Sequence, residues 1–427
     1  MNLVFAALGY VISIGNEEAG LVIAEDVASG ASSGKDPRNM VIKHWPNIRD
    51  WLHCILANID ECAYLMEDEE TSASIPLCKC LIHVILCAFI STLCQDDLIR
   101  ATIYGDVPTQ RLIVLIWVLQ GKDPIETPPR YTIWGARIVA QVMEDLLKHF
   151  GKGIPHELIT TNAYLAYSPY SAVEVSLGRL RSASKQLSED EALERIDISA
   201  FIASRVLTII DTDKIVLQEV LQSNGVTIVV KSLRRILDHF VDLRNTPPHL
   251  DEPIGKTLFF LGTLLHHFFL NTRSDRILHI ALKCGILCVL GDYISLLTTR
   301  APQSKFKNRI YYTGGLRAAK QILEYMVHHT VYAGIVVRLA EGMDEMERRG
   351  EWIRLMGAQS MGIGELWQKL RQLAVERTVC KAMRDRAIGM KVSTCDGVSA
   401  FLPILKAFFH IQLPTHFSAI NALKTPT

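Results

Sequence analysis

The chain has 427 residues, with Lys+Arg and Asp+Glu both at 45, so its formal charge is zero; 49% of it is hydrophobic and 21% charged. That length holds two or three compact domains or one extended array, with ample apolar material for a large core. The charge balance argues against wholesale binding to nucleic acid or anionic membrane. Its ten cysteines lie mostly inside apolar runs such as Leu86-Cys87-Ala88-Phe89. That usage fits reduced, buried thiols and a cytoplasmic or nuclear location better than a disulfide framework.

In chain order, residues 1–14 are apolar but lack a basic leading region, and they are too short to span a bilayer. Residues 1–39 read as a terminal helix and a Gly/Ser-rich loop. Residues 40–58 read as a helical pair interrupted at Pro46, with Trp45, Ile48, Trp51, Leu52 and Ile55 on the apolar side. Residues 75–93 are apolar nearly all round, the pattern of an inner helix. Residues 96–104 form a short helix ending at Gly105, and 109–119 form the next. Residues 131–150 form a long amphipathic helix closed by Gly151. The stretch 170–246 has no proline, which favours uninterrupted helices, and Ser188 before Glu191 has the spacing of a helix N-cap. Further helices are expected over 252–271, 274–299, 310–341, 363–387 and 400–411. Alternating strands bounded by hairpin turns are missing, so the expected fold is all-α.

Residues 216–243 form the best-defined unit. A short apolar helix runs into Asn224-Gly225 and a second helix starts at once, with Gly225 free to take the left-handed backbone angle between them. In the second helix Val226, Val229, Val230, Leu233, Leu237, Phe240 and Val241 share one face, while Lys231, Arg234, Arg235, Asp238 and Asp242 lie opposite. Gly285 follows another short apolar helix 60 residues after Gly225, and Gly105 and Gly342 are looser echoes. Neither helix of such a unit buries its face alone, so neighbours of the same kind must stack on it. The pattern points to an irregular armadillo/HEAT-like α-solenoid over residues 40–412, with a loose tail at 413–427; a compact multi-helix bundle is the alternative.

Few residues carry a chemical signature. Cys80, His83 and Cys87 share one face of a helix, near Cys78 and Cys94, and are weak candidates for metal ligands. No paired-cysteine knuckle accompanies them, so no metal site is assigned. His266-His267 and His328-His329 are adjacent pairs, which point about 100° apart on a helix and do not chelate together. Ser360 sits in a degraded nucleophile-elbow phrase without the strand it needs. No phosphate-binding or dinucleotide-binding loop occurs, and no cofactor is implied. Lys369, Arg371, Arg377, Lys381 and Arg384 outnumber the acids around them and mark a candidate interaction surface.

Several phrases resemble the helical-array portion of fungal, basidiomycete-type MYND zinc-finger proteins. His44-Trp45-Pro46 with Trp51 resembles that family's lysine-tryptophan-proline segment. Tyr325 with the phrase from Val336 to Gly342 resembles its helix-then-glycine turn. Leu366-Trp367 with Leu373, Glu376 and Arg377 resembles the helix before the finger. The finger itself is absent: only Cys380 and Cys395 occur in that region, so its two zinc sites cannot be assembled.

The expectation is therefore a non-enzymatic protein–protein interaction scaffold whose partner is an unknown protein or peptide. The alternatives are an enzyme on a helical fold using His266, His267 or His328, and a nucleic-acid-binding array using the basic C-terminal helices.

Overall fold

The computed structural model describes residues 37–65, 75–120, 130–151, 158, 171–185, 192–207, 214–240, 250–271, 275–302, 304–330, 332–350 and 362–389. Among them are 16 helices and no strand, so the chain is all-α as expected. Two compact units divide it: residues up to 183 with 194–209 form the first, and 184–193 with everything from 210 onward form the second. The expected helix at 400–411, the N-cap at Ser188 and the apolar start at 1–14 lie outside the described residues.

The first unit holds α1 (Pro37–Ala57), α2 (Ile59–Leu65), α3 (Ile75–Leu93), α4 (Asp97–Gly105), α5 (Val107–Gln120), α6 (Arg130–His149), α7 (Ala172–Ala183) and most of α8 (Ala192–Leu207). α1 is continuous through Pro46, against the expected interruption. A proline removes one intrahelical hydrogen bond, and here tertiary contacts hold the helix across that gap. Trp45, Leu52 and Leu56 are buried along one face of α1. Trp45 Nε1 donates to Thr109 Oγ1 at 3.0 Å, and Arg49 Nη1 donates to Asp106 at 3.1 Å, so α1 is pinned to the junction of α4 and α5. The apolar α3 packs against α2, α5 and α6, as its composition requires.

The second unit holds α9 (Lys214–Gln222), α10 (Gly225–Phe240), α11 (Asp251–Asn271), α12 (Asp275–Lys283), α13 (Ile286–Arg300), α14 (Phe306–His329), α15 (Ala333–Arg348) and α16 (Ile363–Gly389). All the described members of the predicted α10 face are buried: Val226, Val229, Val230, Leu233, Leu237 and Phe240. α10, α13 and α15 pack side by side, and so do α11, α14 and α16, giving two layers of helices.

The turn between α9 and α10 corrects the sequence expectation. The residue with the left-handed angle is Asn224, at φ 56°, while Gly225 begins α10. At the second turn Gly285 takes that role at φ 79°. Asn224 N donates to Leu221 O and Asn224 O accepts from Ile228 N; Gly285 N donates to Leu282 O and Gly285 O accepts from Val289 N. Asn224 and Gly285 are thus equivalent, and the displacement is 61 residues (214 to 275, 222 to 283), one more than the glycine spacing implied. Asparagine tolerates the left-handed region better than other residues with a Cβ, which is why it substitutes for glycine here. Gly342 lies inside α15 and marks no turn.

A length pattern accompanies this equivalence. A 9-residue helix, a two-residue turn and a helix of 16 or 15 residues are followed by one of 21 or 24. In the first unit α4, α5 and α6 run 9, 14 and 20 residues, with Asp106 at the turn in extended rather than left-handed conformation.

α11 and α14 share the most extensive contact among the described helices. Gly262 on α11 and Gly315 on α14 leave the slot that Tyr293 of α13 fills; a Cβ at Gly262 would collide with the phenol oxygen. That oxygen donates to Leu258 O at 2.8 Å. At the start of α11, Asp251 accepts from Tyr312 at 2.8 Å, from Ser304 at 3.1 Å and from Asn308 at 3.1 Å. These bonds fix the start of α14 against α11.

Candidate functional site

The histidine and cysteines singled out as weak metal candidates lie on α3. His83 and Cys87 are buried and Cys80 is half-buried. Burial lowers the His83 pKa from 6.5 to about 4, helped by the nearby charges of Lys79 and Arg179. Burial pushes the Cys87 thiol up to about 12. A metal ligand needs a thiolate or a neutral imidazole with an open lone pair; Cys87 is held as a thiol. Among the described residues no three His, Cys, Asp or Glu side chains come together to hold a metal ion.

What the α3 face meets instead is a guanidinium. Arg179 on α7 donates from Nη2 to Trp117 O at 3.1 Å and to Gln120 Oε1 at 3.0 Å. Its carbon lies 5.3 Å from the Trp117 ring centroid, a cation–π geometry. Burial lowers its pKa to about 10, opposed by Cys87 and Cys80, so it stays charged at neutral pH. His83 Nε2, Trp117 Nε1, Gln120 Nε2 and Arg179 Nε are buried and have no hydrogen-bond partner among the described residues. Sequence reasoning missed this cluster because Arg179 looks like one more surface charge of a helix.

The predicted interaction residues lie on α16. Ile363, Trp367, Leu370 and Ala374 form its buried side. Lys369 and Arg377 are exposed and Lys381 is half-buried, while the side chain of Arg384 lies outside the described ones. Arg371 is engaged: its Nη2 lies 2.6 Å from Glu347 Oε1, tying α16 to α15. Glu365 is exposed and Glu376 half-buried, so carboxylates interrupt the basic residues along the helix. Glu376 also accepts from Gln372 at 2.8 Å.

The histidine pairs are dispersed. His266 and His267 are half-buried on α11, with ring centroids 5.8 Å apart. His328 is exposed, and His329 stacks on Tyr325 at 3.8 Å with Nδ1 2.9 Å from Tyr325 O. The phrase around Ser360 lies outside the described residues.

A second surface feature appears where α11 and α14 run together. Residues 293–323 contain six basic side chains (Arg300, Lys305, Lys307, Arg309, Arg317 and Lys320) and no acid. Lys305, Lys307, Arg309 and Arg317 are exposed at or along α14. Lys256 on α11 sits 5.9 Å from the Tyr311 ring centroid, and Phe259 packs on Tyr311 at 6.0 Å. Glu252 lies between Lys256 at 2.8 Å and Lys307 at 3.8 Å, and chiefly Lys256 holds its carboxyl below the ordinary range. The meeting of this basic start of α14 with the aromatic side of α11 was not visible in sequence.

Among the described residues no single helix is long and apolar enough to cross a membrane; one pair, 276–283 with 286–300, has the composition but bends by 76°. Comparison with protein families, curated proteins and solved structures gives no match for this chain.

Proposed function

We propose that this chain is a non-enzymatic scaffold for protein–protein interaction, built on an irregular armadillo-like helical array. The observation that carries the reading is the recurrent triplet of a 9-residue helix, a medium helix and a long one, with matching turn hydrogen bonds at Asn224 and Gly285. A triplet of this kind buries its apolar faces only against its neighbours. Stacking therefore lines up the long helices, and α11, α14 and α16 do pack side by side. A layer of long helices offers an extended surface to a protein or peptide, which is what such arrays present. Likeness to the helical part of MYND proteins and a cytoplasmic or nuclear location belong to the same proposal.

The test is capture of the full chain from its native cell followed by cross-linking. The scaffold reading expects a specific protein partner whose cross-links fall on exposed residues of α11, α14 or α16. Absence of any retained protein, together with turnover in a broad hydrolase screen that His266→Ala abolishes, would replace it with the enzyme reading.

A further inference from the structure

We propose that the amino-terminal half of the α11–α14 face binds an acidic peptide segment carrying an aliphatic anchor, with Lys305, Lys307, Arg309 and Arg317 receiving its carboxylates. The proposal rests on the scaffold reading and names the partner chemistry of one surface. Charge is its first support. Six basic residues lie in 293–323 without one acid, whereas the chain as a whole balances 45 against 45. Arg300 from that run is spent internally, 3.9 Å from Asp251 and only 14% exposed. Lys320 lies 3.9 Å from Glu324. Lys305, Arg309 and Arg317 have no ion-pair partner among the described residues, and Lys307 keeps 78% of its side chain exposed. Unpaired cations held on a rigid helix attract and orient an oppositely charged segment.

The apolar part of the face selects the class of partner. Ile310 is 61% exposed in the middle of this basic run. It supplies an aliphatic contact beside the cations. A single-stranded nucleic acid would instead need open aromatic faces for base stacking. The rings here are already engaged: Tyr311 is approached by Lys256 and Phe259, and Phe259 lies where a side chain at Gly314 would otherwise sit. Geometry agrees. Arg309 and Arg317, eight residues apart on α14, are separated by about 12 Å along the helix. Alternate side chains of an extended peptide recur every ~6.6 Å.

The experiment uses the full chain and a fluorescein-labelled peptide of alternating glutamate and serine with a central leucine, read by anisotropy. The proposal expects saturable binding that weakens as salt rises. It expects loss of roughly tenfold or more in affinity for the triple variant Lys307→Glu, Arg309→Glu, Arg317→Glu. Ile310→Ser should weaken binding with the salt dependence kept. The matched reversal Arg111→Glu, Lys231→Glu, Lys283→Glu, at exposed positions away from this face and from α16, should bind as the parent does. Thermal melts establish that each variant is folded. Equal loss in the matched reversal, no binding by the parent chain, or tighter binding of a single-stranded oligonucleotide would overturn the proposal. If cellular partners are retained equally by the parent and the first triple variant, the acidic-peptide assignment falls and the scaffold reading stands; if neither retains any, both fall.

Discussion

At the scale of single residues, burial decides behaviour more than residue type does. Arg179 is an ordinary helix-surface type in the sequence, yet its guanidinium lies over Trp117, while His83 is buried on α3. The folded His83 pKa, about 4, lies below the unfolded value of 6.5. The neutral form is therefore favoured by folding; the stabilisation is complete above pH 6.5 and is lost as pH falls toward 4. The loss amounts to roughly 3 kcal/mol at most. Urea midpoints measured between those pH values should fall, and His83→Leu should flatten the fall; an unchanged slope would contradict the burial. Leu233 is fully buried on α10, and Leu233→Ala should cost about 2–5 kcal/mol, visible as a lower denaturation midpoint. Gly262→Ala places a methyl against the Tyr293 phenol and should cost about 1–3 kcal/mol by forcing α13 away from α11. Tyr293→Phe in the same background should recover part of that loss, because it removes the colliding oxygen.

At the scale of elements, helix type was legible while helix ends and turn chemistry were only half legible: the stretch expected as one helix over 310–341 is two, α14 ending at His329 and α15 starting at Ala333. The α3 boundaries match the apolar run that announced it. The α10 face was legible because seven positions three and four apart leave one way to wind the chain. The turn was misread because glycine is the usual left-handed residue and Gly225 stood one position past the asparagine that does the work. This distinction has consequences. Gly285→Val should cost about 1–2 kcal/mol, since a β-branched residue resists the left-handed angle; the nearest obstacle to a Cβ there is Arg234 at 3.7 Å, so crowding adds little. Asn224→Val should cost a similar amount, whereas Asn224→Gly should be near neutral. Helicity and thermal midpoints of the three variants check this, and a costly Asn224→Gly would assign the asparagine a role beyond its backbone angle. Pro46 was misread for a different reason. The bonds from Trp45 and Arg49 to the α4–α5 junction run over 64 and 57 residues of sequence, and local rules carry no term for them.

At the scale of the whole molecule, the two units do not divide at a single point in the chain. Residues 184–193 belong with the second unit and 194–209 with the first. Ser184 accepts from Ser232 at 3.0 Å on α10, while Ile196, Ala200, Val206 and Leu207 of α8 are buried. A fragment of residues 1–183 therefore lacks α8, whereas 1–209 retains it. The longer fragment should resist trypsin and keep a cooperative melt, and the shorter should not. Equal protease resistance of the two would show that α8 contributes nothing to the first unit.

The sequence by itself determined that the chain is helical, which faces its strongest helices bury, and that a short-helix, turn, helix unit recurs. Those properties follow from the period of apolar residues along the chain, which is a local quantity. Tertiary structure alone decided that Asn224 and Gly285 are the equivalent turn residues, that Arg371 serves the α15–α16 packing, and that Arg179 lies half-buried over Trp117. It also decided that the basic start of α14 meets the aromatic side of α11. Each of these depends on which helices become neighbours. That choice is set by shape, such as the glycine slot around Tyr293, and by hydrogen bonds between residues distant in sequence, and neither leaves a periodic trace.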